Sequence, residues 1–505
     1  MKIFLIKMPF NRITMVVFSW FFSPAMILAQ PTIYPSPGGL APSAEYQVKV
    51  NGQDVFVYAS PVPAAWCSFD MDQPVEITIK ANRDIKWVDI RPLSSRIKPR
   101  FKDSTISFRV TKPSQLSIEL NGSLKMPLFI FANPPEVNKP GKNDPEVIYF
   151  EAGKIHYPGI IQVKTNQTVY IEGGAVVIGV VEANNAKHIR IAGRGVLDGT
   201  YNHMFSESIV KTKNPGVIAA NKTMGEYHRF LEFKDCEDVR IEGIILHNST
   251  SWQIVPFNCN KVNISNIKIV SDQASDDGID IVHSKNVVVR NSFIRTKDDC
   301  IAVKSYVSDP PGANVDSVLV EKCVFWNALW GNGLEIGFEL NSAEIKNITF
   351  RNSDIIHVEA GAVFSIHNAG TSNVHNILYD DIRVEDARQK LFDLAIFRSR
   401  YSVDGTTDEK EKVRLNLNGA WDGVLSIPAN EKDAHAVYRG TIKNVVFRNI
   451  KIVDGLFPYS IFYGFNADKN ISNIVIENLR VHGKKITALQ DARFYAENTD
   501  RIIIR

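Results

Sequence analysis

Cysteine is scarce in this chain, five residues in 505, and the odd count leaves at least one thiol unpaired. The spacing also argues against a disulfide framework. Cys236 and Cys259 stand 23 residues apart, as do Cys300 and Cys323, which suits small buried residues stacked one repeat apart better than cross-links. An excess of one charge is missing too. Lys and Arg number 58 against 55 Asp and Glu, a formal net charge of +3. No basic stripe alternates with aromatics, so a nucleic-acid partner is not expected, and nothing in the balance is built to attract a polyanion. Helical periodicity of useful length is absent. So are long hydrophobic runs, apart from Met15 to Ala29, which Pro24 interrupts and which is too short to span a bilayer comfortably. Preceded by Lys2, Lys7 and Arg12, that stretch reads as a signal peptide over residues 1–29, cleaved near Ala29. No cysteine follows it until Cys67, which argues against a lipid anchor. The expectation is export, to the periplasm or the cell exterior, without stable membrane insertion.

What the chain does have is a repeat. Short alternating runs, apolar at i and i+2 and rich in Val and Ile, recur at Asp238–Glu242, Lys261–Ser265, Asn286–Arg290, Ser317–Glu321, Asn347–Arg351, Asn376–Asp380, Asn444–Arg448 and Asn473–Glu477. Each is closed by a turn-forming or polar residue, among them Asn266, Asn291, Asn352, Asn449 and Asn478. Successive early anchors are 23, 25, 31, 30 and 29 residues apart. Strands at so long a period, with no helices between them, predict an all-β fold: a right-handed parallel β-helix over residues 147–505. Residues 31–140 lack the repeat. Clean alternation at Tyr46–Val50 and Val75–Ile79 predicts a small antiparallel β-sandwich there, with a Pro- and Asn-rich linker between Phe131 and Pro145. Residues 386–440, with Arg398, Arg400, Tyr401 and Trp421, read as a long excursion between two rungs, either walling a cleft or forming a surface flap.

Two acidic clusters fall inside the repeat. Asp276-Asp277-Gly278-Ile279-Asp280 and Asp298-Asp299-Cys300 are set 21 residues apart, from 277 to 298. One repeat is one turn of the solenoid, and neighbouring strands stack about 4.8 Å apart, so acids one repeat apart become neighbours on one face. Three clustered carboxylates suit glycosidic hydrolysis. Mutual repulsion raises one pKa and leaves a proton to donate, while the others hold a water. The bland reading is that Asp-Gly and Asp-Asp are turn residues between rungs, and it is favoured for Asp276 and Asp280. Lys304 lies on the strand that follows the second cluster and could reach the acids. Trp252, Trp326, Trp330 and Tyr306 lie in or beside the same coils; Trp252 and Trp330 are the candidates for stacking on a sugar ring.

These residues carry a resemblance. Ser275-Asp276-Asp277-Gly278 and Asp298-Asp299-Cys300-Ile301-Ala302-Val303-Lys304 resemble, in order and spacing, the signatures of glycoside hydrolase family 28, the polygalacturonases, over roughly residues 147–480. The resemblance implies Asp298 as the general acid and Asp277 and Asp299 as the bases that hold the water. Two segments depart from it. The family's Gly-His-Gly stands here as Gly331-Asn332-Gly333, and its Arg-Ile-Lys, which grips a substrate carboxylate, as Ser365-Ile366-His367. Leu334-Glu335-Ile336-Gly337-Phe338 resembles instead glycoside hydrolase family 49, the dextranase group, which also joins an N-terminal sandwich to a β-helix. Lys304, Trp252, Asn332, Trp330, Glu335 and His367 are therefore expected to line the substrate site, with His367 either a hydroxyl ligand or a satisfied structural histidine.

The expected enzyme is an inverting hydrolase of a polysaccharide or oligosaccharide, a monomer needing no cofactor and no metal. A neutral α-glycan is the first substrate expectation and a pectin-type chain the alternative. A calcium-dependent lyase and a non-catalytic glycan-binding solenoid remain as other classes.

Overall fold

Alternating β-branched runs, each closed by a residue that tolerates left-handed backbone, dictate how this chain turns. In the computed structural model, which describes residues 30–59, 61–200, 229–249, 251–306, 313–406, 408 and 424–505, Asn266, Asn291, Asn352, Asn449 and Asn478 have φ between 46° and 56°. Asn adopts that conformation more readily than other side-chain-bearing residues, and one such residue swings the chain from one face of the solenoid to the next. Lys322 and Asp381 do the same at φ 55° and 52°. The amides also bond between rungs: Asn478 Nδ2 donates to Asn449 Oδ1, and Asn286 Nδ2 to Asn260 Oδ1, both at 2.8 Å.

The result is a 31-stranded sheet wound on itself, from Val147–Phe150 to Thr499–Ile504. Its rungs pair in parallel; the exception is Arg480–Val481 with Lys484–Lys485. Most coils carry three strands. Ile279–Val282, Lys285–Arg290 and Phe293–Thr296 make one coil, and Ile301–Ser305, Val315–Glu321 and Val324–Asn327 the next. The first strands stack into the site face, the second into the Asn-rich ladder face, and the third into the face that meets the N-terminal domain. Inward side chains from the faces, such as Ile281, Val289, Ile294, Val303 and Ile336, form one continuous core. No described helix is long and apolar enough to cross a membrane. The segment read as a signal peptide lies outside the described residues.

The N-terminal region folds into two five-stranded sheets. Tyr46–Val50 and Val75–Ala81 pair antiparallel, with every second side chain buried. In the other sheet Ala65–Asp70 and Ser123–Asn133 run parallel. This domain docks on the third face through aromatics. Phe129 lies 4.9 Å from Phe293 and 5.7 Å from Trp326, and Phe131 lies 5.3 Å from Phe293, between ring centroids. Ion pairs cross the same junction: Arg91 to Glu385 at 2.7 Å, Arg194 to Asp70 at 3.0 Å, and His357 to Glu119 at 2.9 Å. Trp326, weighed above for sugar stacking, is buried here instead.

Two sequence expectations need correction. The five cysteines are free and buried, but only Cys236 and Cys259 occupy equivalent places, each just before paired residues Glu237 and Asn260. Cys300 precedes a site-face strand and Cys323 a third-face strand, because the coil there spans 31 residues, from Val287 to Val318. The excursion is also shorter than 386–440. Lys390–Ile396 is a full site-face rung paired with Ala362–Asn368, so the chain leaves the solenoid only after it. Trp421 and residues 409–423 lie outside the described residues.

The docking cluster makes a stability prediction. Phe129→Ala should cost about 3–5 kcal/mol and lower the thermal unfolding midpoint. A calorimetric shift near zero would mean that the aromatic junction contributes little.

Candidate active site

Parallel register decides which outward side chains meet on the site face. Ile254 lies opposite Ile279, Ile279 opposite Ile301, and Ile301 opposite Leu334. The residues two places before each therefore fall in one column: Trp252, Asp277, Asp299 and Asn332. Backbone bonds keep that column aligned, with the N–H of Gln253 donating to the Asp277 carbonyl at 2.9 Å and that of Cys300 to the Asn332 carbonyl at 3.0 Å. Asp298 stands beside Asp299. Carboxylate oxygens of Asp277, Asp298 and Asp299, one from each, lie within 4.8 Å of one another.

Each acid is pinned. Lys304 Nζ lies 2.9 Å from Asp277 Oδ2 and 3.1 Å from Asp280 Oδ1. Asn332 donates its backbone N–H at 2.6 Å and its Nδ2 at 3.3 Å to Asp299 Oδ1. The Asn332 Oδ1 in turn accepts from the Ala362 N–H at 2.9 Å, which fixes the amide's orientation. Asp298 Oδ1 accepts from the Asp299 N–H at 3.0 Å. Buried Asp276 accepts the N–H groups of Lys297 and Asp298, both at 2.9 Å, and so holds the loop that carries the acids. Gly331 has φ 66°, and a Cβ there would stand 2.5 Å from Asp298 Oδ1. The Gly331-Asn332-Gly333 turn thus gives Asp298 its room.

The electrostatics follow from this crowding. Burial, and then the charge of Asp277, pushes Asp298 up to about 7. Burial with Asp277, Asp298 and Glu335 holds Asp299 well above the usual aspartate range. Burial also lifts Asp280, against the pull of Lys304, and raises Asp276 to about 6. For Lys304, burial opposes the charge, but Asp277 and Asp280 outweigh it and keep the ammonium protonated. The cluster therefore retains a proton in a range where isolated aspartates have lost theirs. The same three carboxylates could hold a divalent cation. The Lys304 ammonium already supplies positive charge to Asp277, however, and a calcium site draws on roughly six to eight oxygens.

Of the other expected residues, Trp252 stands closest to the cluster, with Lys304 Nζ 3.9 Å and Arg229 Cζ 4.6 Å from its ring centroid. Trp330 is 49% exposed at the lip, with Lys297 Nζ 5.1 Å from its ring centroid. Glu335 and His367 lie farther along the face. Buried His367 sits between two carboxylates, Nδ1 3.0 Å from Glu335 Oε2 and Nε2 3.2 Å from Asp393 Oδ2, and Lys390 also pairs with Asp393. Ser365 fills the rung between Glu335 and Asp393. Among the described residues, Glu335 Oε1 and Asp393 Oδ1 have no hydrogen-bond partner. Phe338 and Phe397 cover His367, at 5.2 and 5.8 Å between ring centroids, so the described part of the excursion packs on the site face. Arg398 donates to the Asp404 carbonyl at 2.8 Å, and Arg400 lies over the Tyr401 ring at 4.7 Å.

Sequence reasoning missed two acids. Asp280 is not a turn residue: it lies in a strand between inward Ile279 and Ile281, and strand alternation alone turns it outward beside Lys304. Asp393 is hidden in the sequence because its strand falls inside the apparent excursion 386–440. Asp276, by contrast, has the turn-holding role expected of it.

The chain is similar to known proteins in sequence and in fold. The family model described as "Glycosyl hydrolases family 28" matches residues 150–415. "Polygalacturonase QRT2" of Arabidopsis thaliana is 22% identical over 277 residues, 54% of this chain and 58% of that protein. The chain spans between 34% and 58% of the length of the first curated relatives that it matches. Among solved structures, Dex49A from Penicillium minioluteum superposes with TM-score 0.57 at 17% identity, over 92% of this chain and 96% of that one. An exopolygalacturonase from Thermotoga maritima gives TM-score 0.52 at 18% identity, over 71% and 83%. At such identities the two structures show a shared fold.

The His367 network makes a pH prediction. Burial opposes the imidazolium, but Glu335 and Asp393 outweigh it and push His367 up to about 9. A folded pKa above the unfolded value of about 6.5 gives stability that is fully present below that pH and lost as pH rises through about 9. His367→Gln should therefore flatten the fall of the melting midpoint over that window relative to wild type. Parallel curves would show that His367 carries no charge in the folded protein.

Proposed function

The chain belongs to glycosyl hydrolases family 28, and we propose that it is a hydrolase of O-glycosidic bonds that cleaves a pectin-type polysaccharide or oligosaccharide with inversion, through Asp277, Asp298 and Asp299. The observation that carries this reading is the cluster of three carboxylates within 4.8 Å of one another, whose crowding and burial let the set retain a proton. Asp298 protonates the leaving oxygen as the glycosidic bond breaks. A water held between Asp277 and Asp299 adds to the anomeric carbon from the opposite face and gives its proton to that pair. Two oxygens that both bind one water at about 2.8 Å stand about 4.5 Å apart, which agrees with a separation within 4.8 Å. Lys304, paired with Asp277 and Asp280, balances the charge. Residues 1–29 support export of the mature chain.

The substrate expectation shifts accordingly. The curated relatives are named polygalacturonases, whereas the likeness to Dex49A is one of fold, so a neutral α-glucan loses its first place. The rungs carrying Glu335, Ser365, His367 and Asp393 still offer no Arg–Lys clamp for a carboxylate. The sugar at the acid cluster is a neutral unit or an esterified uronate of a pectin-type chain. Turnover measured on a panel of polygalacturonate, esterified pectin, rhamnogalacturonan and α-glucans tests this. Cleavage confined to α-glucans, or efficient cleavage of the free acid alone, overturns it.

A second reading rests on one observation. Inverting enzymes usually separate their carboxyl groups by roughly 6.5–9.5 Å, and a spacing near 5 Å is typical of a covalent, retaining route. Proton NMR of the newly formed anomer separates the two: inversion is expected, and retention would make one aspartate the nucleophile. Full loss of activity in chelator would favour a metal-dependent lyase instead.

Asp298→Asn should lower turnover by roughly a hundredfold or more while leaving binding intact, because an amide has no acid proton to give. In wild type, the rate should fall as pH rises through about 7, where Asp298 loses its proton. A variant that keeps a tenth of the activity, or a rate that still climbs above pH 8, would remove Asp298 from the acid role.

A further inference from the structure

The column that aligns the acids does not stop at Asn332. Asn332 is followed one rung on by Ala362, then Lys390, then Tyr459, the last two steps being direct register pairs. Tyr459 therefore stands four rungs beyond Asp299, about 19 Å away at the parallel-strand spacing. In the next column, Asp280, Ala302, Glu335, Ser365, Asp393, Ile461 and Tyr495 are successive partners. The two columns that are buried around the acids thus emerge into solvent at Tyr459, 56% exposed, and Tyr495, 52% exposed, with Leu456 at 68% just before Tyr459. Of the other members of these two columns, Trp252 and Ile461 are part-buried and the rest are buried, which sets the two exposed tyrosines apart. Neighbouring groups hold the rings in place: Arg493 Cζ lies 4.8 Å from the Tyr459 ring centroid, and Tyr495 Oη donates to Glu497 Oε2 at 2.6 Å. Trp330 exposes a further ring at the lip beside Asn332, so exposed aromatics mark both ends of this stretch of the face.

We propose that Tyr459 and Tyr495, flanked by Leu456, form a remote carbohydrate-binding platform that takes distal pyranose units of the same glycan chain that enters the acid cluster. This inference rests on the functional reading above. The apolar C–H faces of pyranoses stack on exposed aromatic rings, and the shared register sets the platform in line with the cluster on one face of the solenoid, which selects the distal end of the substrate as its occupant. A chain long enough to reach from Asp299 to Tyr459 gains contacts that a short oligosaccharide cannot make. The platform thereby favours long polymers without touching the reacting bond.

The test uses the full chain carrying Tyr459→Ala and Tyr495→Ala together, on whichever glycan of the panel wild type cleaves, as polymer and as its di- or trisaccharide. The expected result is a KM for polymer raised roughly fivefold or more, with kcat and the kinetics on the short substrate unchanged and an unaltered melting midpoint. An unchanged KM for polymer overturns the platform while leaving the functional reading in place, and so does an equal loss on short and long substrates. Wild type inactive on every glycan overturns the functional reading and this inference with it. Tyr459→Phe with Tyr495→Phe should restore the polymer KM, since stacking needs the ring and not the hydroxyl; failure of that rescue also counts against the proposal.

Discussion

Parallel register is the constraint on which the rest of this molecule depends. When strands stack in parallel, each residue lies over its counterpart one coil earlier, and the side-chain period of two sends alternate columns inward and outward. Inward columns of Val and Ile fuse into a core. Outward columns become lines of chemistry, of which Trp252, Asp277, Asp299 and Asn332 are one. A slip of one residue in any of these strands would exchange the two sets, so the same pairing that stabilises the core also fixes the distance between the acids.

Crowding three carboxylates on such a line is costly unless their charge is answered. Lys304 answers it from within the same face, reaching Asp277 and Asp280 at once, while Asn332 supplies two donors to Asp299. Burial then does the rest, raising the acids until one keeps its proton. Asp276 and Gly331 contribute without being reactive: one ties down the loop amides, the other leaves space for the Asp298 carboxyl. Removing one charge from such a set is more damaging than its pairwise energy suggests, because the partner is left buried and unanswered.

The N-terminal domain occupies the third face, away from the acid cluster. Its attachment combines aromatic packing with buried ion pairs such as Arg91–Glu385 and His357–Glu119. Bridges of that kind add little net stability, since each ion must first be desolvated. The site face is covered elsewhere by the described part of the excursion, where Phe397 and Val424 pack with Phe338 and Ala395.

The sequence by itself determined the class of fold, the coil period and the neighbourhood of Asp277 to Asp299, because each is written in local patterns: alternation, turn residues at rung ends, and acids spaced by a coil. It also determined the likeness to family 28. It did not determine which residues share a column once coils differ in length. The interval of 23 that matches one coil at Cys236 falls short of one at Cys300, and Lys390–Ile396 was lost in an apparent excursion. Nor could it give the partner of a charge. Asp280 reads as a turn residue until its strand turns it toward Lys304, and His367 reads equally as a ligand or a structural histidine until Glu335 and Asp393 close on it from adjoining rungs. Those are contacts between coils about thirty residues apart in sequence, set by the summed length of every turn between them, and only the tertiary structure carries that sum.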